Sequence, residues 1–339
     1  MNASTQLPAT GPEAKEPQAI DKEHTAPATA RPDGSDTRTP QDPEARPAGA
    51  QGSEPPAELK ADCIADSAGG LTFDLNAPQE TAQGWGAALV LRLRAGDGAD
   101  DEVRLPLGPN GAGRLRAVLP STVALAEGRW NAYADFGDGR DPQRLLPGVN
   151  DLRSLVDRRP LAAIGRLGVR IPYSTKFGNL ALRSWLRGPH AEAGDILVAP
   201  DGITVSGRLY GAAPAAGAQA EARARRSGAG TASAPAAPAV VTAPLTVEGA
   251  EFRFTLPYDE LAGSWQGGNE PWDLWLRPAE GARPVRIGRL LDDVPDKKQV
   301  FSYPALPVQS PSAQVRIGPY YTLDNDLAIR VAGPEGGAS

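Results

Sequence analysis

From about residue 64 the apolar residues of this chain fall in short runs or in strict alternation, broken every few positions by Gly, Pro, Asn or Asp. That pattern predicts strands joined by tight turns and offers no sustained helical period. Leu71-Thr72-Phe73-Asp74-Leu75 alternates throughout. Within Ala87 to Arg94, Leu91 and Leu93 share one face while Arg92 and Arg94 share the other, and past a turn at Gly96-Asp97-Gly98 the next strand is Val103-Arg104-Leu105. Leu115 to Pro120 is a strand stopped by proline, Ser121 to Ala126 suits one helical turn, and Trp130 leads a further alternating strand.

The same order then recurs. Phe252 to Pro257 repeats the proline-stopped strand, Tyr258 to Gly263 the turn, and Trp272 the aromatic-led strand. Counted from each Trp the copies stay in step, with Pro142 and Pro284 twelve residues on, Arg144 and Arg286 fourteen, Asp151 and Asp293 twenty-one. Period two places Trp272, Leu274 and Leu276 on a core face, matched by Trp130, Ala132, Ala134 and Phe136. Asp138-Gly139 and Glu280-Gly281 fit hairpin turns that need a positive φ. Each copy closes on one phrase, Pro172 to Arg183 and Pro319 to Arg330, identical at six of twelve positions without a gap.

A strand, a turn, an aromatic-led strand, a hairpin and a last strand is the order of the second half of immunoglobulin-like and fibronectin-like sandwiches. The expected architecture is all-β: two tandem sandwiches of that kind, each with an appended arm ending in the shared phrase. Residues 63–187 would form the first module and 188–334 the second. The second carries an Ala/Pro/Gly-rich loop at 211–247, centred on Ser227 to Pro238, and the junction Arg187 to Gly194 is short.

Composition adds a third region. Residues 1–60 contain no Phe, Trp, Tyr or Val and are crowded with Pro, Ala, Glu, Asp and Thr, so they cannot bury enough apolar surface to offset chain entropy. Residues 1–62 are thus expected to be a disordered acidic tail. Ten acidic and six basic side chains give its first 60 residues a charge of -4, which leaves -2 of the total -6 for the rest. The linear sequence has no basic stripe of the kind that tracks nucleic-acid phosphates, so no nucleic-acid partner is expected. Cys63 is the only cysteine, which excludes an intrachain disulfide and a multi-thiolate zinc site. With no apolar leader and no run of the roughly 18 residues that span a bilayer, the protein is expected to be cytoplasmic, at most peripheral at the inner membrane face. Leu7-Pro8-Ala9-Thr10-Gly11 matches a sorting signal, but it lacks the hydrophobic segment and basic tail that such a signal precedes.

Chemistry is sparse. His24 and His190 are the only histidines, and no nucleophile elbow, dinucleotide fingerprint or phosphate loop occurs, so no catalytic residue, metal ligand or cofactor is assigned. Acidic clusters at Asp97 to Glu102, Asp138 to Asp141, Asp292-Asp293 with Asp296, and Asp324 to Asp326 fit two readings, turn formers or calcium ligands. The outward aromatics Tyr133, Trp275, Tyr320 and Tyr321 suit a stacking platform for sugars, with Asp324, Asn325 and Asp326 beside them for the hydroxyls, or else they pack the arms onto their own sheets.

The phrases Pro-Tyr-x-Thr with Gly-Asn-Leu-Ala-Leu-Arg-Ser-Trp at 172–185, His190 to Ala193, Ile287 to Asp293, and Pro319 to Leu327 carry a resemblance. Over roughly residues 65 to 332 the chain resembles β-rich modules of actinobacterial proteins labelled transferase, which also occur alongside glycosyltransferase and CDP-glycerol glycerophosphotransferase domains. The resemblance implies an association with cell-envelope glycopolymer synthesis, with such a transferase or a glycan as partner. The chain departs from the longer relatives in having no nucleotide-sugar-binding domain. The expectation is a non-catalytic accessory or binding module, against two alternatives: a transferase in its own right, or a structural spacer.

Overall fold

The computed structural model describes residues 58–82, 86–94, 96, 98, 101–156, 158–160, 166–225 and 239–333. These fall within one compact unit. The expected tail up to residue 57, the sorting-like motif and the centre of the Ala/Pro-rich loop lie outside them, and the loop's bounds of 211–247 need correction, because Gln219–Ala224 and Val240–Pro244 on its flanks are strands paired with each other. The last residues assigned to the tail need correction, because Lys60 to Asp62 already belong to the first strand, where Ala61 and Cys63 are fully buried. Burial pushes the Cys63 thiol up to about 12.

The first half comprises β1 (Lys60–Ala65), β2 (Leu71–Pro78), β3 (Ala88–Leu93), β4 (Glu102–Pro106), β5 (Gly108–Pro109), β6 (Arg114–Leu119), β7 (Gly128–Asp135), β8 (Gln143–Arg144), β9 (Leu146–Asp151), β10 (Leu167–Ser174) and β11 (Leu180–Arg187). One sheet runs β5-β6-β2-β1-β9 and the other β10-β11-β7-β3-β4, with β8 beside β7. Phe73, Leu75 and Leu115 from the first sheet meet Leu89, Leu91, Trp130 and Leu182 from the second in a single core.

The second half comprises β12 (His190–Ala199), β13 (Gly202–Tyr210), β14 (Gln219–Ala224), β15 (Val240–Pro244), β16 (Thr246–Glu248), β17 (Glu251–Pro257), α1 (Tyr258–Gly263), β18 (Asn269–Arg277), β19 (Val285–Gly288), α2 (Lys297–Val300), β20 (Leu306–Gln309), β21 (Gln314–Tyr321) and β22 (Leu327–Ala332). Its pairings retrace those of the first. β12, β13 and β17 neighbour one another as β1, β2 and β6 do, and β18 lies between β14 and β22 as β7 lies between β3 and β11. The registers agree residue by residue: Ala181 faces Asn131 while Ala328 faces Asp273, and Leu93 faces Trp130 while Ala224 faces Trp272.

The strand faces follow the alternation. Trp130, Ala132, Ala134 and Phe136 are buried in one core, and Trp272, Leu274 and Leu276 in the other. Gly139 and Gly281 take the positive φ that their turns require, 80° and 71°. The helical turns part company: Tyr258 to Gly263 forms α1 with Asp259 and Glu260 in its first turn, whereas Ser121 to Ala126, with the β-branched pair Thr122-Val123 and no acidic residue, makes only a turn.

The arms differ from expectation. Each shared phrase is the bend and return strand of a hairpin, β10–β11 or β21–β22, whose return strand pairs directly with the Trp strand. The phrase is therefore an integral part of each sheet. Its Thr fixes the bend in both copies, since Thr175 Oγ1 accepts from Asn179 N and Thr322 Oγ1 from Asp326 N, each at 3.2 Å.

The junction is also tighter than a linker. Only Gly188 and Pro189 separate β11 from β12, and His190 is buried with Nε2 2.7 Å from Glu192 Oε2. Glu192 in turn accepts from the amides of Leu290 and Leu291, both at 2.9 Å. This holds Leu290, a second-half residue, fully buried in the first core. Leu290→Ala is expected to lower stability by about 2–5 kcal/mol, read as the shift of urea unfolding followed by tryptophan fluorescence. A loss below about 0.5 kcal/mol, the range of surface changes, would mean that Leu290 does not fasten the halves together.

Candidate functional site

Because strand residues alternate, the face of β7 and β18 opposite each buried Trp carries Tyr133 and Trp275. Both rings are half-buried under guanidinium groups. Arg92 and Arg144 lie 5.2 and 4.7 Å from the Tyr133 centroid, and Arg223 and Arg286 lie 5.2 and 4.8 Å from that of Trp275. The two copies thus build one constellation twice, with Arg144 and Arg286 reaching their rings across matching strand pairs.

In the second copy this constellation is neutralised. Asp273 Oδ1 lies 3.2 Å from Arg286, and its Oδ2 takes Arg225 Nε, also at 3.2 Å. Asp326 lies 3.3 Å from Arg286 and 2.5 Å from Arg187 of β11. Asp324 pairs with Arg183, and its carbonyl accepts from Trp185 Nε1 at 3.1 Å. Asn325, fully buried with φ 59°, accepts from Lys297 N at 3.1 Å through Oδ1. The three polar residues expected to face a sugar are engaged within the chain instead, fastening the second hairpin bend to β11 and to the segment before α2. Asp292 and Asp296 of the neighbouring acidic cluster are likewise engaged: Asp296 caps α2, and Asp292 takes Lys297 Nζ at 2.5 Å. Among the described residues no group of His, Cys, Asp or Glu is placed to hold a metal ion.

The expected stacking platform does not assemble. Tyr321 is fully buried against Phe301 and Tyr303, and burial pushes its hydroxyl far above the ordinary range. Tyr320 lines a separate groove under Arg330, whose guanidinium sits 4.5 Å from its ring. Trp275 and Asp326 do come together, but around Arg286. Tyr133 is in the other half of the chain.

In the first copy the corresponding place is open. A cleft of about 950 Å³ lies between the β10–β11 bend, the outer ends of β7 and β8, and residues 294–300. Arg94, Arg129, Arg144, Lys176 and Arg183 line it, while Asp296 is the only lining carboxylate among the described residues. Arg183 is committed to Asp324, whereas the other four cations have no ion-pair partner among the described residues. Asn131 Oδ1 accepts from both Arg94 Nε at 3.0 Å and Arg144 Nη2 at 2.8 Å. Desolvation pulls the Arg144 pKa below its ordinary value, with Tyr133 opposing it and Arg94 adding to it. On the rim Phe177 is 76% exposed, beside Thr175 and Asn179. The sequence showed no basic stripe because these cations come from separate strands and converge only through strand pairing. The available signal was the copy-to-copy alignment, which already matched Arg144 with Arg286.

No known protein family matches the chain, and no curated protein does. Among solved structures it is similar to S. aureus TarS, at 12% identity and a TM-score of 0.25, over 59% of this chain and 35% of that one. It is also similar to the fragment S. aureus TarS 217-571, at 13% identity and a TM-score of 0.25, over 59% of this chain and 56% of that one. The chain thus spans between about a third and just over half of these structures, and likenesses this slight do not bear on the role of the cleft.

The wall of the cleft rests on a buried charge. Lys297 is fully buried, donating to Asp292 and, at 2.7 Å, to the Val294 carbonyl, and desolvation lowers its pKa against the pull of Asp292. Lys297→Met should cost about 1–3 kcal/mol, because Asp292 loses its buried partner but keeps Arg289 at 3.1 Å. Combining it with Asp292→Leu should recover much of that loss in a double-mutant cycle on chemical unfolding. Strict additivity would show that the pair is not coupled.

Proposed function

We propose that the protein is a non-catalytic glycan-binding module, built on two tandem immunoglobulin-like β-sandwiches, that works beside an enzyme of bacterial cell-envelope glycopolymer synthesis. The observation that carries this reading is the open cleft of the first half. It combines an exposed aromatic ring, Phe177, with the amides of Asn131 and Asn179 and a bank of cations. Carbohydrate recognition can use this combination, since an apolar ring packs on the C–H face of a sugar while planar amides and charged donors meet its hydroxyls. The volume suits a few residues of a polymer and leaves its ends free.

The envelope setting comes from the resemblance of the shared phrases to modules that accompany glycosyltransferase and glycerophosphotransferase domains. A transferase of that kind is the proposed protein partner, and the inner face of the membrane the proposed place. Among the described residues no helix is long and apolar enough to cross a membrane, so on this reading attachment there runs through the partner or the polymer.

Titration calorimetry of the full chain with purified envelope polysaccharide is expected to give saturable binding. Phe177→Ala should weaken it about three- to tenfold, the worth of one aromatic contact, without changing the melting temperature. Incubation with nucleotide sugars or CDP-glycerol should yield no turnover. Absence of saturable binding, or turnover by the isolated chain, would overturn the reading.

A further inference from the structure

The duplicated constellation permits a comparison within one molecule. Arg94 and Arg225 each stand one residue past the partner of the buried Trp, and Arg144 and Arg286 each cover the outward aromatic. The cations are shared by the two copies, and Arg92 and Arg223 keep the carboxylate partners Glu102 and Glu221, but the anions beside Arg144 and Arg286 are not shared. Asp273, next to Trp272, corresponds to Asn131, next to Trp130, and each faces the matching alanine of the hairpin return strand. Asp326 corresponds to Asn179, and each donates its amide to the Thr of its bend. Both carboxylates that reach Arg286 in the second constellation are therefore neutral amides in the first. The bend itself changes from Leu323-Asp324-Asn325-Asp326 to Lys176-Phe177-Gly178-Asn179, trading two negative charges for one positive.

The consequence is electrostatic. Arg225 and Arg286 share Asp273, whereas Arg94 and Arg144 converge on one neutral oxygen of Asn131, and Arg129 and Lys176 join them in the same cleft. Among the described residues Asp296 is the one carboxylate lining the cleft against these cations, which therefore repel one another, and a concave wall focuses their field outward. The chain as a whole carries -6, so this is a local reversal of sign. The second constellation shows what completes such a group: anionic oxygens beside the guanidinium, supplied there by Asp273 and Asp326.

We infer that the first-half cleft takes a phosphodiester group of an anionic glycopolymer, seated beside Arg94 and Arg144 where the second half holds the carboxylates of Asp273 and Asp326. This rests on the reading of the cleft as a glycan site and adds the chemical class of the ligand. A phosphodiester offers oxygens to two guanidiniums at once, and planar guanidinium forks bind such groups through paired charge-assisted hydrogen bonds. Arg129 and Lys176 lie along the cleft for the neighbouring phosphate. A nucleic acid fits less well, because one exposed ring offers little stacking and the cations form a short cluster without an extended track.

The test uses the full chain with three probes: a glycerol-phosphate oligomer, a neutral dextran oligomer of equal length, and oligothymidylate. The glycerol-phosphate oligomer is expected to bind, more weakly as salt rises from about 50 to 200 mM. Arg144→Gln should reduce its affinity at least about tenfold. The decisive variant is Asn131→Asp with Asn179→Asp, which installs the anions the second half already accommodates. It should fold with an unchanged or higher melting temperature and lose binding at least about tenfold. Undiminished binding by that variant overturns the inference. Equal, salt-insensitive binding of dextran overturns it while leaving the glycan-binding reading intact, and silence from every probe counts against both. Oligothymidylate binding as tightly as the glycerol-phosphate oligomer would overturn the assignment to a glycopolymer.

Discussion

A strand with both faces occupied has to divide its residues between two environments, and in each half of this protein the Trp-led strand does so at the centre of its sheet. Inward, Trp130 or Trp272 fixes the core against the opposing strands. Outward, the residue three positions on is an aromatic covered by guanidiniums from both neighbouring strands. The inner face sets the fold and the outer face sets a charge problem, because guanidiniums gathered over one ring need anions nearby. Period two ties the two faces together, so neither can shift register without the other.

The halves answer that charge problem differently. In the second, Asp273 and Asp326 supply the anions, and Asp326 also takes Arg187 from the first half. Electrostatic balance and the joining of the halves are thus one arrangement. Leu290 in the first core and Lys297 buried beside Asp292 reinforce it from the adjoining segment. In the first half, Asn131 and Asn179 take the places of the two carboxylates and the surface stays open. One copy has become a joint and the other presents a cleft.

Much of this fold was legible in the sequence. Alternation placed the strands and both Trp faces, proline stops and glycine turns marked their ends, and the twelve-residue phrase revealed the duplication. The alignment from each Trp even paired Arg144 with Arg286. Less legible were Lys60 to Asp62, where a single alanine between two charged residues hides a strand. The hairpins were also missed, since nothing local in Leu180 to Arg183 says that it pairs with Trp130 and not with an outer edge. The polar residues of the second phrase read as ligand contacts because turn chemistry, ion pairing and ligand binding all use Asp and Asn. Their engagement with Arg183, Arg187 and Lys297 depends on where another strand lies.

The sequence by itself therefore determined the class of structure, its duplication and the inward faces, since these come from the local order of apolar and polar side chains and from the backbone demands of Gly and Pro. Tertiary structure alone decided which Asp was a joint, which Tyr was core and which cations share a cleft. Those are contacts between residues up to 141 positions apart, such as Arg183 with Asp324. Charge acts through space, and separation along the chain says nothing of distance until the strand registers are fixed.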